Sequence, residues 1–315
     1  MTTVDAAGRP AAALSRKRWT GRTRGGVLGN WIFLVLLKTC GLRAAYALLV
    51  PVTFYYLFTA AKALRASREY LARRLSPANP ATTFIRVWKH FFRFGQILID
   101  RAAIIAGLAR FEFEFDGEEH LEAALAKGRG LLLVTAHVGN WEAAGHMLSR
   151  LGVPVNVVAY EGELARVKRL FDRAMSGRKL RVIEAGDSLE TGLKIISALG
   201  RGEIVAMHAD RALDAKLVAI DFLGAEAGFP SGPYLVAATT GVPLITAFVA
   251  RKATGKYLFK AWPAENLKSD SRDERDHLVR ETMARFAGRL EDFLKENPYQ
   301  WLNFYDFWGD AALEK

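Results

Sequence analysis

Hydrophobic residues fall into two regimes along the chain. Up to about residue 61 they form unbroken runs, first Gly26 to Leu37 and then, after Lys38 and Arg43, Ala44 to Ala61, eighteen residues without a charge. The second run is just long enough to span a bilayer, and Pro51 in its middle predicts a kink. A true span, a kinked hairpin, a helix lying in the interface and a buried core helix are all compatible with this pattern. The stretch Ser76-Pro77-Ala78-Asn79-Pro80 closes the regime, since two prolines with Ser and Asn cannot continue a helix. It predicts a boundary between an N-terminal appendage, residues 1–75, and a main domain, residues 76–315. Beyond it, Phe84 to Leu108 reads as an aromatic-rich helix carrying Trp88, Phe91, Phe92 and Phe94. Short apolar runs then alternate with amphipathic ones. The runs predict strands at Gly130 to Ala136, Val153 to Tyr160, Leu180 to Ala185, Ile204 to His208, Val218 to Phe222, Val242 to Ala250 and Tyr257 to Trp262. Helical periodicity fills the gaps at Trp141 to Leu151, Leu164 to Ser176, Leu189 to Leu199, Pro230 to Thr240 and Glu274 to Lys295. Strands alternating with helices imply an α/β fold, a largely parallel sheet covered by helices on both faces.

Charge sharpens this picture. Of 315 residues 51% are hydrophobic and 24% charged, a balance that fills a core and excludes a disordered chain. The net charge of +11 calls for an anionic partner. Six bases (Arg9, Arg16, Lys17, Arg18, Arg22, Arg24) precede the first apolar run against Asp5 alone, and Arg65, Arg68, Arg73 and Arg74 follow the second. Bases on both flanks leave no positive-inside asymmetry, but their place beside an apolar segment, without a nucleic-acid motif, favours a membrane over nucleic acid. No small-residue cleavage site ends the run, so it is expected to act as an anchor rather than a signal peptide. Cys40 is the single cysteine and excludes an intrachain disulfide and a Cys-rich zinc site.

Ligands of α/β sheets gather at the carboxyl ends of strands. There one segment stands out, Leu131-Leu132-Leu133-Val134-Thr135-Ala136-His137-Val138-Gly139-Asn140-Trp141-Glu142. His137 closes the strand, Gly139 permits a tight turn, Asn140 suits an N-cap, and Glu142 falls in the first turn of the next helix. A turn of this kind can return the Glu142 carboxylate to one imidazole nitrogen and leave the other facing the cleft, which makes His137 a competent general base. By the same spacing Glu142 could be a capping carboxylate beside a surface histidine. His208 lies in an apolar run and is expected as a hydrogen-bonded core residue. Asp210 and Arg211 fit a strand-end ion pair as well as a substrate contact.

The segment resembles the H-x-x-x-x-[DE] signature of the lysophospholipid acyltransferase superfamily, in its bacterial lipid A biosynthesis acyltransferase branch, to which the glutamate and the H-x-G-N-W-E context point. Similar blocks follow in order: Gly202-Glu203-Ile204-Val205-Ala206-Met207-His208-Ala209-Asp210-Arg211, Asp221-Phe222-Leu223-Gly224 leading to Phe229-Pro230-Ser231-Gly232-Pro233, and Asn297-Pro298-Tyr299-Gln300-Trp301 through Trp308. The resemblance implies His137 as base and Glu142 as its partner, with Asn140, Asp210, Arg211 and Ser231 on the substrate side. An arginine expected after Tyr160 is replaced by Glu161, and Arg166 or Arg169 on the next helix is expected in its stead. The Phe229 to Pro233 turn lacks the glutamate of glycerol-phosphate acyltransferases, which argues against glycerolipid synthesis.

The activity so implied moves a fatty acyl group from an acyl carrier protein or coenzyme A thioester to a hydroxyl of a lipid or glycolipid, of the lipid A precursor type, at the cytoplasmic face of the inner membrane. The acceptor hydroxyl is itself the nucleophile, in keeping with a chain that has no G-x-S-x-G elbow. No metal and no bound cofactor is implied. The competing readings are the same fold acting on an ornithine lipid, a mannoside or a polyene-type tail, a thioesterase in which water replaces the hydroxyl, and a non-catalytic membrane-binding protein.

Overall fold

The computed structural model describes residues 27–141, 148, 151–160, 180–185, 188–211 and 217–309. In chain order the elements are α1 (Val27–Thr59), α2 (Ala61–Arg74), α3 (Pro80–Ile105), β1 (Glu112–Asp116), α4 (Glu118–Leu125), β2 (Leu131–Thr135), β3 (Val155–Tyr160), β4 (Leu180–Ala185), α5 (Ser188–Gly200), β5 (Ile204–His208), β6 (Leu217–Phe222), β7 (Ala225–Pro230), α6 (Gly232–Thr240), β8 (Leu244–Ala253), β9 (Lys256–Ala261) and α7 (Arg272–Glu296). Seven strands form one sheet in the order β1-β9-β8-β2-β5-β3-β4. Every pairing in it is parallel except the β8–β9 hairpin. The fold is thus the α/β architecture that the apolar runs predict. Buried parallel strands such as Leu131-Leu132-Leu133-Val134 are apolar on both faces because helices cover both.

One face carries the larger core, where Leu132, Val134 and Val205 meet Ile195 and Leu199 of α5, Tyr234 and Ala237 of α6, and Phe286, Leu290 and Leu294 of α7. The opposite face packs Leu131, Leu133, Val155 and Ile204 against Leu121 of α4 and Leu148. α7 starts at Ser271, whose side chain accepts the Glu274 N–H, with Asp273 and Glu274 in the positive first turn. β6 and β7 pair with each other as an antiparallel hairpin apart from the main sheet. Their two-residue turn, Leu223–Gly224, has positive φ at both positions (51° and 77°), the twist a tight hairpin needs, and the Glu291 carboxylate accepts the Leu223 N–H.

The structure departs from expectation at several elements. The aromatic helix begins at Pro80 rather than Phe84, because Pro is well placed at the first helical position and Asn79 caps it by accepting the Thr82 N–H at 2.8 Å. α1 breaks at Gly41 (φ 77°, ψ −174°) and continues as helix through Pro51. β1, absent from the expected strands, lies at the sheet edge, parallel to β9, with Glu112 bridged to Lys256 at 2.7 Å and Asp116 to Lys260 at 2.9 Å.

The C-terminal half of α1 is amphipathic in its burial. Ala45, Tyr46, Leu49, Thr53 and Leu57 are buried at helical spacing, and Gly95 of α3 admits the contact, since a β-carbon there would lie 2.4 Å from Leu49. Its other side exposes Phe54, Tyr55 and Phe58, beside exposed Phe84 and Ile85 of α3, while the N-terminal half exposes Trp31, Ile32, Leu34 and Val35. Trp31–Thr59 is long and apolar enough to cross a membrane. α2 enters the main core through Tyr70 and Leu71.

His90 of α3 is fully buried, its Nδ1 2.8 Å from Ser67 Oγ on α2 and its Nε2 2.7 Å from the carbonyl of Trp301, so one imidazole ties two helices to the C-terminal segment. Burial outweighs the hydrogen bond to Trp301 and holds its pKa down to about 4, from 6.5. The unfolded chain therefore takes up a proton near pH 6.5 that the folded chain refuses until about pH 4. Stability from this group is complete above pH 6.5 and falls as pH drops through that window, by about 3 kcal/mol in all. Melting curves from pH 7 to pH 4 should show this loss, and His90→Gln should flatten it. An equally steep loss in the variant would mean that other groups cause it.

Candidate active site

The site forms where β2 and β5 end side by side. Their register pairs Thr135 with His208, so His137 and Asp210, each two residues further on, emerge opposite one another. His137 Nδ1 lies 2.8 Å from Asp210 Oδ1, and the His137 backbone N–H donates to Asp210 Oδ2 at 3.0 Å. The same Oδ2 accepts Trp301 Nε1–H at 2.9 Å. An ionised carboxylate only accepts, so Nδ1 carries the ring proton and Nε2 the lone pair. Burial alone would raise the Asp210 pKa. The adjacent His137, its hydrogen bond, His208 and Arg211 outweigh it and keep the carboxylate ionised well below the ordinary range.

The turn after His137 is clamped from both sides. Gly139 has φ +56°, and a β-carbon there would lie 2.0 Å from the Val249 carbonyl, so no other residue fits. Its N–H donates to the Gln300 carbonyl at 2.9 Å, the Leu302 N–H donates to the His137 carbonyl at 2.7 Å, and Val138 bridges Trp301. The Gln300 side chain in turn grips both backbone groups of Arg251, accepting its N–H at 2.7 Å and donating to its carbonyl at 2.9 Å. Asn140 is buried beside the Tyr257 phenol.

Of the sequence-derived site residues, the structure brings together His137, Asp210 and Arg211. Asp210 and Arg211 do not pair with each other: Asp210 faces His137, while Arg211 lies 4.8 Å over the Tyr305 ring and donates to the Leu302 carbonyl at 3.4 Å. Asn140 sits on the turn itself, and Ser231 is buried at the N-cap of α6. Glu142, Arg166 and Arg169 lie outside the described residues. The carboxylate on Nδ1 is that of Asp210. His208, expected in the core, is only half-buried, and its ring stacks on His137 with centroids 3.9 Å apart and planes 20° apart. Trp301 donates to Asp210 as well as filling the core. The signal that could have revealed Asp210 is its offset from the end of its strand, which matches that of His137.

Ligand atoms of His137, His208 and Asp210 lie within 4.8 Å of one another, close enough to raise the question of a metal. Nearly parallel stacked rings carry their nitrogen lone pairs in planes side by side, however, and a metal needs them to converge. The arrangement instead suits proton transfer, with an oriented imidazole, a buried anion to steady its charged form, and a guanidinium close by.

The chain is similar to known acyltransferases. Phosphatidylinositol mannoside acyltransferases from two strains of Mycobacterium tuberculosis are 28% and 27% identical over 183 residues, 57% of this chain and 55% of theirs. One from Mycolicibacterium smegmatis is 26% identical over 163 residues, 51% of each chain. The alignments span about half the length of these relatives. The sequence profile of bacterial lipid A biosynthesis acyltransferases matches residues 84–309, which take in the whole sheet, the His137–Asp210 pair and the C-terminal clamp. On that match the chain belongs to the bacterial lipid A biosynthesis acyltransferase family.

Proposed function

We propose that the protein transfers a fatty acyl group from a thioester donor, acyl carrier protein or coenzyme A, to a hydroxyl of a membrane lipid, with His137 as general base. The observation that carries this is the Nδ1 contact to buried Asp210, which fixes the ring proton on Nδ1 and makes Nε2 the basic nitrogen. His137 removes the acceptor's hydroxyl proton as the oxygen attacks the thioester carbonyl. The tetrahedral intermediate collapses with loss of the C–S bond, and the imidazolium returns the proton to the departing sulfur, giving an ester and a free thiol. Thiols ionise near pH 8.5, so the leaving group needs no strong acid. Arg211 supplies positive charge for the oxyanion or an acceptor phosphate. Asn140 fixes the turn, Ser231 and the arginines Arg166 and Arg169 belong to the substrate side, and Glu142 competes with Asp210 for the role of steadying the imidazolium by its charge.

The acceptor is a glycolipid hydroxyl of the lipid A precursor type. A second reading, a phosphorylated mannoside lipid, is favoured by the names of the aligned relatives. Residues 1–75 hold the protein at the cytoplasmic face of the inner membrane. Supporting this are the apolar stretch Trp31–Thr59 and the exposed Phe54, Tyr55, Phe58, Phe84 and Ile85, with Lys62, Arg65 and Lys89 exposed beside them. Because one side of α1 already packs on α3, a helix lying in the interface accounts for the exposed side better than an isolated span.

Mass spectrometry of lipids from a strain lacking the protein should show one lipid class short by a single acyl chain, and purified protein should restore it from a thioester. Release of free fatty acid in place of a lipid ester would replace transfer with hydrolysis. An unchanged lipid profile, together with no consumption of either thioester, would overturn the assignment.

A further inference from the structure

His208 has no role in the reaction as derived, yet its ring is held against the proposed base. Alternation along β5 turns residues 204, 206 and 208 to one face, and Asp210 follows two residues beyond the strand end. One side of the His208 ring is covered by His137, with centroids 3.9 Å apart, and the Trp141 ring makes a T-shaped contact with it, centroids 4.6 Å apart. Resting on the reading of His137 as base, we propose that His208 is a positioning residue: its neutral ring keeps the His137 imidazole in the plane set by Asp210 and stabilises the imidazolium formed when the hydroxyl proton is accepted.

The charges around the pair explain why neutrality matters. Asp210 and Arg211 face it from the exit of β5, Trp141 from just past the turn after β2, and Trp301 and Tyr305 from the C-terminal segment, the three aromatic residues uncharged, while Glu142 lies outside the described residues. Asp210 is the anion in contact with His137 Nδ1, so a positive charge on the pair is best compensated on His137. Two unit charges about 4 Å apart at an effective permittivity near 20 repel by roughly a thousandfold in equilibrium, which disfavours a charge on both rings at once. A cation facing a neutral π-system is stabilised, and stacked aromatic pairs gain beyond their buried area. His208 thus favours the charged state of His137 more than the resting one, which is what lowers a barrier.

The test uses full-length protein in membranes, with thiol release from palmitoyl-coenzyme A or the matching acyl carrier protein thioester as readout and membrane lipid extract as acceptor. His208→Ala should lower kcat about tenfold with KM for the thioester unchanged. His208→Phe keeps a neutral ring in the stack and should recover most of that loss, with the acid limb of its kcat profile where the wild type has it. The proposal is overturned if Phe at 208 loses as much as Ala, which would put the role in the nitrogens, or if the limb moves, which would put the titration on His208. Full turnover in the Ala variant would also overturn it. Should the Ala variant not fold, the pH profile of the Phe variant decides alone. A folded His137→Ala protein with normal turnover would instead remove the base assignment on which the proposal rests.

Discussion

Asp210→Asn is expected to lower turnover by about 10⁴-fold, comparable to loss of the orienting carboxylate in a catalytic triad. The reason lies in the hydrogen bonds around the carboxylate. Oδ2 accepts two fixed donors, the His137 backbone N–H and Trp301 Nε1–H, while Oδ1 faces Nδ1. An asparagine must keep its oxygen toward the two fixed donors. Its amide N–H then points at Nδ1, which has to accept, and the ring proton moves to Nε2, the atom needed as base. The fold survives, because the fixed donors remain satisfied. His137→Ala should cost roughly 10²–10⁴-fold, and the double variant little more than Asp210→Asn alone, since residues acting as one unit are non-additive. Turnover is read beside melting curves for each protein. A folded Asp210→Asn protein within tenfold of wild type would sink the pairing. Glu142→Gln measured in the same series decides which carboxylate carries the imidazolium.

The largest effect on stability is expected at Asp100. This α3 residue is fully buried and accepts three donors: the Arg251 Nε–H at 2.8 Å, the Tyr257 hydroxyl at 2.6 Å and the Tyr46 hydroxyl. Arg251 is 5% exposed and also donates to Tyr46 and Thr254 at 3.3 Å each. Asp100→Ala leaves a buried guanidinium without its counter-charge, and breaking such a pair from one side costs about 3–5 kcal/mol. The double variant Asp100→Leu with Arg251→Met removes both charges and should recover much of that loss, though the phenols of Tyr46 and Tyr257 then lack their acceptor. Urea melts of the three proteins test this. A single variant that loses less than about 1 kcal/mol would mean that water reaches the pair, and the network would no longer be what fastens α1 and α3 to the sheet.

The architecture was legible because parallel strands buried on both faces must be apolar throughout, as in Ile204-Val205-Ala206-Met207. The helices at Leu189 to Leu199 and Glu274 to Lys295 were legible because one stripe of each packs on that sheet. β1 was overlooked although Glu112-Phe113-Glu114-Phe115-Asp116 alternates perfectly. Its acids are at home only beside Lys256 and Lys260, more than a hundred residues away. β7 contains Gly228 and Pro230 and exists because the Leu223–Gly224 turn folds it onto β6. The break in α1 was expected at Pro51, the stronger helix breaker, yet it falls at Gly41, where left-handed backbone costs no steric penalty. At the site, local reasoning singled out His137, proposed Glu142 of the same segment as its partner and named Asp210 for the substrate side. Asp210 is 73 residues away, and only the pairing of β2 with β5 makes them neighbours.

That pairing has a kinetic consequence. A one-residue slip of β5 would set Ala209 or Arg211 opposite His137 and turn Asp210 to the other face, so activity reads strand register to the nearest residue. β5 also lies between β2 and β3 in the sheet, although it follows β4 in the chain, and must be inserted between strands that precede it. Contacts of such sequence separation form slowly, after loops have been closed against their entropy. During refolding, helix content and collapse should therefore return well before any turnover. The first active molecules would mark the moment the central strand is seated, and the enzyme would serve as a clock for its own assembly.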